Sequence, residues 1–391
     1  MSSTAETSER LNFEIPEDLK MLKRTIREYA EERLQPLADF TEEHDDIPEG
    51  VLAEMAEMGM FGIPFAEEYG GMGARELGYC LAMEEMGRAP SCFSNIIGAH
   101  TGIGAMSLYL DGSEELKKKY MPDLCAGKKI ACFGLTEPGS GSDAAAMSTT
   151  AVRDGDFYAL NGTKLYITNG DIAHQGVIYA MTDKSLGPKG GITAFWVDLD
   201  ESGVKRGPND KKMGLRGSHT CELVMDNARV PAANVIGQVG LGFVTAMKAL
   251  DVGRLSLAAG AVGAAEYVIQ KGIEHAKSRY QFKQPIANFQ AIQFLLAESQ
   301  TEMHAGRLMV YHAAQKCDDG KRFSMEAAMA KYYCSEMAIR VVDRVLQIYG
   351  GMGFMKDSGI ERAYRDARIL AIYEGTNQIQ RLIIADHMLK G

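Results

Sequence analysis

ACFGLTEPGSGSDAAAM, residues 131–147, marks the point at which the 391-residue chain changes texture. Before it the apolar residues recur at helical spacing. Glu17 to Leu34 mixes charged and apolar positions in this way and stops before Pro36. Val51 to Met60 repeats the pattern, Tyr69-Gly70-Gly71-Met72-Gly73 breaks it, and it returns over Leu77 to Met86 and Glu114 to Leu124. Beyond the quoted stretch, Asp154-Gly155 and Asn161-Gly162 are hairpin signals between short alternating runs. Gly176 to Thr182, Gly191 to Leu199 and Cys221 to Met225 carry β-branched or aromatic residues. Short strands at this spacing predict a small antiparallel barrel or sandwich. From about residue 239 the helical period returns with no strand signal. Ile292, Leu295, Leu296, Ser299, Met303, Gly306, Val310 and Ala313 share one helix face, and a further helix from Ala327 runs into the stop Gly350-Gly351. The small residues from Ala258 to Ala265 predict close helix approach. The expected fold is α+β in three domains: an N-terminal helical domain over 1–130, a central β-domain over 131–238 and a helix bundle over 239–391.

Composition narrows the function. Hydrophobic residues make up 46% and charged residues 24%, as in ordinary globular proteins. The net charge is -10, so the overall field does not attract nucleic acid, and an anionic ligand needs local donors. No apolar run is read as long enough to span a membrane. Met1 to Lys20 lacks a signal-peptide core and holds five acidic residues, unlike a transit peptide, so it reads as a flexible lead into the first helix. The seven cysteines are odd in number and form no C-x-x-C, which fits buried thiols in a reducing cytoplasm. The eight histidines form neither E-x-x-H on a helix nor H-E-x-x-H, so no metal site is expected.

Gly139-x-Gly141-x-x-Ala144 matches the loose dinucleotide fingerprint but lacks its βαβ setting, since Pro138 precedes it and hairpin texture follows. There is no Walker A sequence and no G-x-S-x-G. The longer strings say more: ACFGLTEPGSGSDAAAM at 131–147, NGTKLYITNG at 161–170, DVGRLSLAAGAVGAA at 251–265, SRYQFKQPIANFQAIQF at 278–294, QIYGGMGF at 347–354 and YRDARILAIYEGTNQIQRLIIA at 364–385. In this order and spacing they resemble the acyl-CoA dehydrogenase family over essentially the whole chain, with most likeness to short-chain and branched-chain bacterial members.

The resemblance implies helices, then a β-domain, then a four-helix bundle, with FAD between the last two and a homotetrameric assembly. It implies oxidation of an acyl-CoA to the 2,3-enoyl-CoA, with electrons passed to electron-transfer flavoprotein. Phe133, Leu135 and Thr136 would lie against the flavin ring, Thr168 would donate near its N5, and Ser142 would touch both FAD and CoA. The family usually has tryptophan where this chain has Tyr166, so the docking or identity of the electron acceptor is open at that position. Arg279, Phe282 and Gln290 match residues reaching the FAD of a neighbouring subunit, where a guanidinium fork suits a phosphate. Gln347, Gly350 and Gly351 match the loop over that same FAD, and Thr376 and Gln378 complete the cofactor set. Asp251, Gly253, Arg254, Tyr373 and Gly375 match substrate contacts. Asp143 is read as structural, a cap.

Glu374 matches the catalytic base. An isolated glutamate is far more often a surface charge, so spacing alone proves little. A minority of the family carries its base at the position of Gly253, and a glycine cannot take a proton. The implied reaction removes the α-proton with Glu374 and the β-hydride with FAD, while the Glu374 backbone N–H and a ribityl hydroxyl polarise the thioester carbonyl. Burial beside an acyl chain should raise the Glu374 carboxyl toward working pH. Ser94 stands where a glutaryl-type relative would need an arginine, which favours short, branched or alicyclic acyl groups over dicarboxylates. Three rivals are an oxygen-using oxidase of the same fold, a flavin-containing nucleic-acid-binding relative, and a helical scaffold without cofactor. Peroxide formation, a salt-dependent DNA shift and an absent yellow colour would respectively mark them.

Overall fold

A computed structural model describes residues 14–390. The lead over residues 1–13 lies outside the described residues.

The first part is helical, with helices at Glu17–Tyr29, Arg75–Met86, Ser91–Ile97 and Glu114–Cys125, and a wide π-helical stretch at Gly98–Ala105. Ser113 starts the Glu114–Cys125 helix by accepting a hydrogen bond from the Leu116 N–H. The β-part holds β1 (Ala131–Gly134), β2 (Thr150–Asp154), β3 (Phe157–Thr168), β4 (Gln175–Met181), β5 (Ile192–Asp198), β6 (Lys205–Arg206), β7 (Thr220–Pro231) and β8 (Val235–Ile236). They pair in the order β6-β7-β3-β2-β4-β5-β8, with β1 on β4. Pairing is antiparallel except that β1 and the first residue of β2 run parallel to β4. These contacts join one layer, β6-β7-β3-β2, to the other, and Tyr158, Leu160, Phe195 and Leu223 are buried in the core they share.

Asp154-Gly155 does close a hairpin, with Asp154 opposite Phe157. Asn161-Gly162 does not. It lies inside β3, where the register against β7 slips between Leu160 and Gly162. The glycine is needed because a Cβ there would strike Thr149. An Asn-Gly pair thus serves a bulge rather than a turn.

The last part is built on the 37-residue helix Gly242–Ser278, packed against Gln290–Asp318, Ser324–Tyr349 and Arg75–Met86. Small residues set the spacing, as expected. A Cβ on Gly87 would strike the Gly260 carbonyl, and one on Gly263 would strike that of Glu84. One expectation changes here. By length and composition the 242–278 helix could cross a membrane, its alanines and glycines giving a mean hydropathy of 1.2 over its most apolar window. Yet 78% of that window is buried inside the protein, so it is a core helix.

Candidate active site

Between the short turn Arg368–Ala371 and the final helix Asn377–Lys390 the backbone leaves regular structure. Glu374 and Gly375 there are both left-handed, at φ 54° and 86°. Glycine adopts this at little cost; glutamate does so only where its surroundings hold it. The holding groups are side chains from three helices. Gln380 Nε2 donates to the carbonyls of Glu374 and Gly375 at 3.1 and 3.0 Å. Arg254 Nε donates to Glu374 O at 3.4 Å, and Lys331 Nζ donates to Gly375 O at 2.9 Å.

This turn carries the Glu374 carboxylate into a cavity. Its Oε2 is buried and has no hydrogen-bond partner. Gly253 backs directly onto it: a Cβ there would lie 2.7 Å from Oε2 and 2.5 Å from Ile103 Cγ2. Burial pushes the carboxyl up to about 7, against the opposing pull of Arg254 and Lys331. Arg254, 3% exposed, is paired with Asp251 at 2.6 Å.

The cavity measures about 500 Å³ and lies between the β-part and the helices. On one wall it brings together Phe133, Leu135, Thr136, Ser142, Tyr166 and Thr168; facing them are Arg254, Tyr373, Glu374 and Gly375. Phe133, Leu135 and Thr136 come from the end of β1. Behind them Lys164 Nζ donates to Leu135 O at 3.2 Å and to Glu137 Oε1 at 2.7 Å. Tyr166, at φ 59° and 63% exposed, sits at the second slip of β3 against β7 and so turns its ring to the cavity mouth. Asp143 caps nothing: it precedes a single short turn, and Ser140 Oγ donates instead to the Asp143 carbonyl at 2.7 Å.

Other residues in the expected set stand apart. Arg279, Phe282, Gln290, Gln347, Gly350 and Gly351 are exposed at the end of the bundle where His275 stacks on Tyr349 at 4.0 Å. Phe282 is 87% exposed with φ 50°. They do not line the cavity of their own chain. Thr376 Oγ1 accepts from the Ile379 N–H at 3.3 Å and so opens the last helix, and Gln378 is exposed beside it. The sequence reading missed Lys331 and Gln380, which hold the Glu374 turn. Lys331 had a visible signal, since it falls on the apolar stripe Ala327, Ala330, Cys334, Ala338 of its helix.

The N-terminal, middle and C-terminal domains of acyl-CoA dehydrogenase match residues 16–128, 132–228 and 240–389 in turn. The chain belongs to the acyl-CoA dehydrogenase family. It is an FAD-dependent oxidoreductase acting on a CH–CH bond of an acyl-CoA. Among its relatives is a caffeyl-CoA reductase–Etf complex subunit of Acetobacterium woodii, 43% identical over 96% of this chain and 99% of that one. The structure of butyryl-CoA dehydrogenase from Megasphaera elsdenii superposes with a TM-score of 0.94 at 37% identity, covering 97% of this chain and all of the other. An acyl-CoA dehydrogenase complexed with FAD from Bacillus anthracis gives 0.89 at 37% identity over 96% of this chain and 69% of that one. The cavity of this acyl-CoA dehydrogenase suits the cofactor. Gly139 and Gly141 have nothing within 4 Å of a built Cβ, which leaves backbone open to a phosphate-bearing chain. The flat Tyr166 ring at the mouth and the end of β1 offer a face and an edge to a planar heterocycle.

Proposed function

We propose that this enzyme takes the α-proton of an acyl-CoA with Glu374. The observation that carries the reading is a carboxylate aimed into the cavity, with one oxygen buried and unpartnered and a carboxyl raised to about 7. Such a group can take up a proton near neutral pH and lacks only a proton donor, which is what a general base needs. FAD, when bound, supplies the two-electron acceptor for the β-hydrogen. Phe133, Leu135, Thr136, Ser142, Tyr166 and Thr168 would hold it in its own subunit. Arg279, Phe282, Gln290, Gln347, Gly350 and Gly351, outside the cavity, would serve the FAD of a neighbour in a homotetramer, and Thr376 and Gln378 would complete the FAD contacts. Asp251, Gly253, Arg254, Tyr373 and Gly375 would border the acyl-CoA, and the Glu374 backbone N–H would polarise the thioester carbonyl. Run in reverse, as the name of the Acetobacterium relative describes, the same carboxyl would return the proton.

The acyl group we favour is branched or alicyclic rather than a short straight chain alone. Gly98 and Gly260 both line the cavity, and a Cβ on either would fit against Met83 without a clash, so neither side chain narrows it. Electron-transfer flavoprotein is the acceptor we propose, in line with the name of the Acetobacterium complex. The cytoplasm is the proposed compartment, and residues 130 and 238 are the proposed domain limits.

The test is Glu374→Gln, read by anaerobic flavin bleaching in a single turnover across a panel of acyl-CoAs. Loss of a general base lowers such a rate by about 10² to 10⁴. Fold and flavin content should be retained, because the neutral isostere opens no cavity. A variant that bleaches within a few-fold of wild type would show that another residue is the base.

A further inference from the structure

Lys331 is a lysine where a helix core is expected. It is wholly buried on the Ser324–Tyr349 helix, with Ala327, Ala330, Cys334 and Ala338 around it on the same stripe. A buried ammonium is costly unless hydrogen-bonded and balanced by a negative charge. Its hydrogen bonds are to neutral atoms: Gly375 O at 2.9 Å and Asn377 Oδ1 at 2.9 Å. No carboxylate lies within salt-bridge distance of it among the described residues. Asn377 is itself fixed, receiving a bond from Ser335 Oγ at 3.1 Å and giving one to Glu336 Oε1 at 2.9 Å. The lysine therefore grips both ends of the Glu374 turn, the carbonyl just after Glu374 and the first side chain of the helix that follows.

We propose that Lys331 is a positioning residue for the reaction, clamping the left-handed Glu374–Gly375 turn and supplying the uncommitted cation that keeps the Glu374 carboxylate ionisable inside an apolar cavity. This rests on Glu374 being the base. The charged and titratable groups facing Glu374 are Arg254 from the 242–278 helix, Lys331 from the 324–349 helix, Tyr79 from the Arg75–Met86 helix and the adjacent Tyr373. Arg254 is already shared with Asp251 at 2.6 Å. Lys331 has no such direct partner, and the Glu374 charge is the main influence holding its ammonium up while burial pulls it down to about 8. Arg254 opposes the burial of Glu374 most and Lys331 next, while Lys331 is itself held up by Glu374 and, to a smaller extent, by Glu336, and pushed down by Arg254.

Two substitutions separate the clamp from the charge. Lys331→Gln keeps a donor for Gly375 O but loses the cation; Lys331→Arg keeps the cation. The experiment measures flavin content, thermal midpoint, and the single-turnover bleaching rate from pH 5 to 9 on the holoenzyme. Removing a nearby cation raises a carboxyl, so the acid limb of the Lys331→Gln profile should move up by about one pH unit. Lys331→Arg should keep the limb where wild type has it. A Lys331→Gln limb that does not move, whatever the loss of rate or stability, overturns the proposal and leaves Lys331 a structural residue. Should Lys331→Gln fail to fold, a moved limb in Lys331→Arg overturns it equally. Failure of the base assignment looks different, since Glu374→Gln would then retain the wild-type rate and its acid limb.

Discussion

Two buried lysines meet two carboxylates in this molecule, with opposite results. In the β-part, Lys164 and Glu137 touch at 2.7 Å, and Glu137 also accepts from the Ser148 N–H at 2.6 Å, Ser148 Oγ at 2.7 Å and the Thr149 N–H at 3.0 Å. Burial alone would raise that carboxyl, but the Lys164 charge and these donors outweigh it and hold Glu137 down at about 2. In the bundle, Lys331 lies under the turn that carries Glu374 and bonds its backbone instead. The Glu374 carboxylate receives charge without donors, burial wins, and the group stays near 7. A lysine in direct hydrogen-bond contact, joined by three further donors, turns a carboxylate into scaffold. A lysine one peptide away leaves it able to exchange a proton at neutral pH.

The largest effect should come from breaking the scaffold pair. Lys164→Met strands Glu137 in the interior, and removing one partner of a buried pair costs about 3–5 kcal/mol. We expect a clearly lower thermal midpoint and loss of flavin, because Lys164 also holds the Leu135 carbonyl at the cavity wall. The deficit should shrink as pH falls toward 5, where Glu137 without its cation can take a proton; a deficit independent of pH would deny the charge its role. In wild type the sign is the usual one for a depressed carboxyl: the Glu137 contribution is complete above about 4.5 and is lost as pH falls toward 2.

Arg279 sharpens the contrast from the other side, as an exposed guanidinium outside the Glu374 cavity. If it grips a neighbour's FAD phosphate, Arg279→Ala should weaken flavin retention by about tenfold or more, together with the assembly. Dialysis against graded FAD, followed by light scattering, reads both; a stable, fully flavinated monomer would sink the shared-site idea. The smallest effect belongs to Tyr166, two residues beyond Lys164. Tyr166→Phe keeps the ring and leaves the Lys164 pair alone, so flavin content and bleaching should stay within roughly twofold. Flavin loss on dialysis would show instead that the hydroxyl binds.

Much of this was legible in the chain. The helices at Leu77 to Met86 and Glu114 to Leu124 announced themselves by apolar spacing, and the face from Ile292 to Ala313 is buried at Ser299, Met303, Gly306, Val310 and Ala313. What hid was whatever depends on a partner distant in sequence. Asn161-Gly162 reads locally as a turn, but its glycine answers to Thr149 across the sheet. Asp143 has the chemistry of a cap and no helix of useful length to cap. Periodicity places Lys331 inside without saying why a cation belongs there, because the answer lies 44 residues on at Gly375. The 500 Å³ cavity, too, is assembled from all three parts, and no local pattern predicts its width.

Gly253 also bears on where a base could sit. Its missing side chain and the Glu374 carboxylate compete for one volume, with Ile103 closing the remaining side. A side chain at 253 would therefore have to displace the Glu374 carboxylate, so the two positions crowd one seat. Gly253→Glu alone would force two carboxylates together, and pairing it with Glu374→Gln would still leave a full-length side chain in the way. If Glu374 is the base, moving it to position 253 calls for a shorter residue at 374 as well, so the two seats are reached only by a paired change.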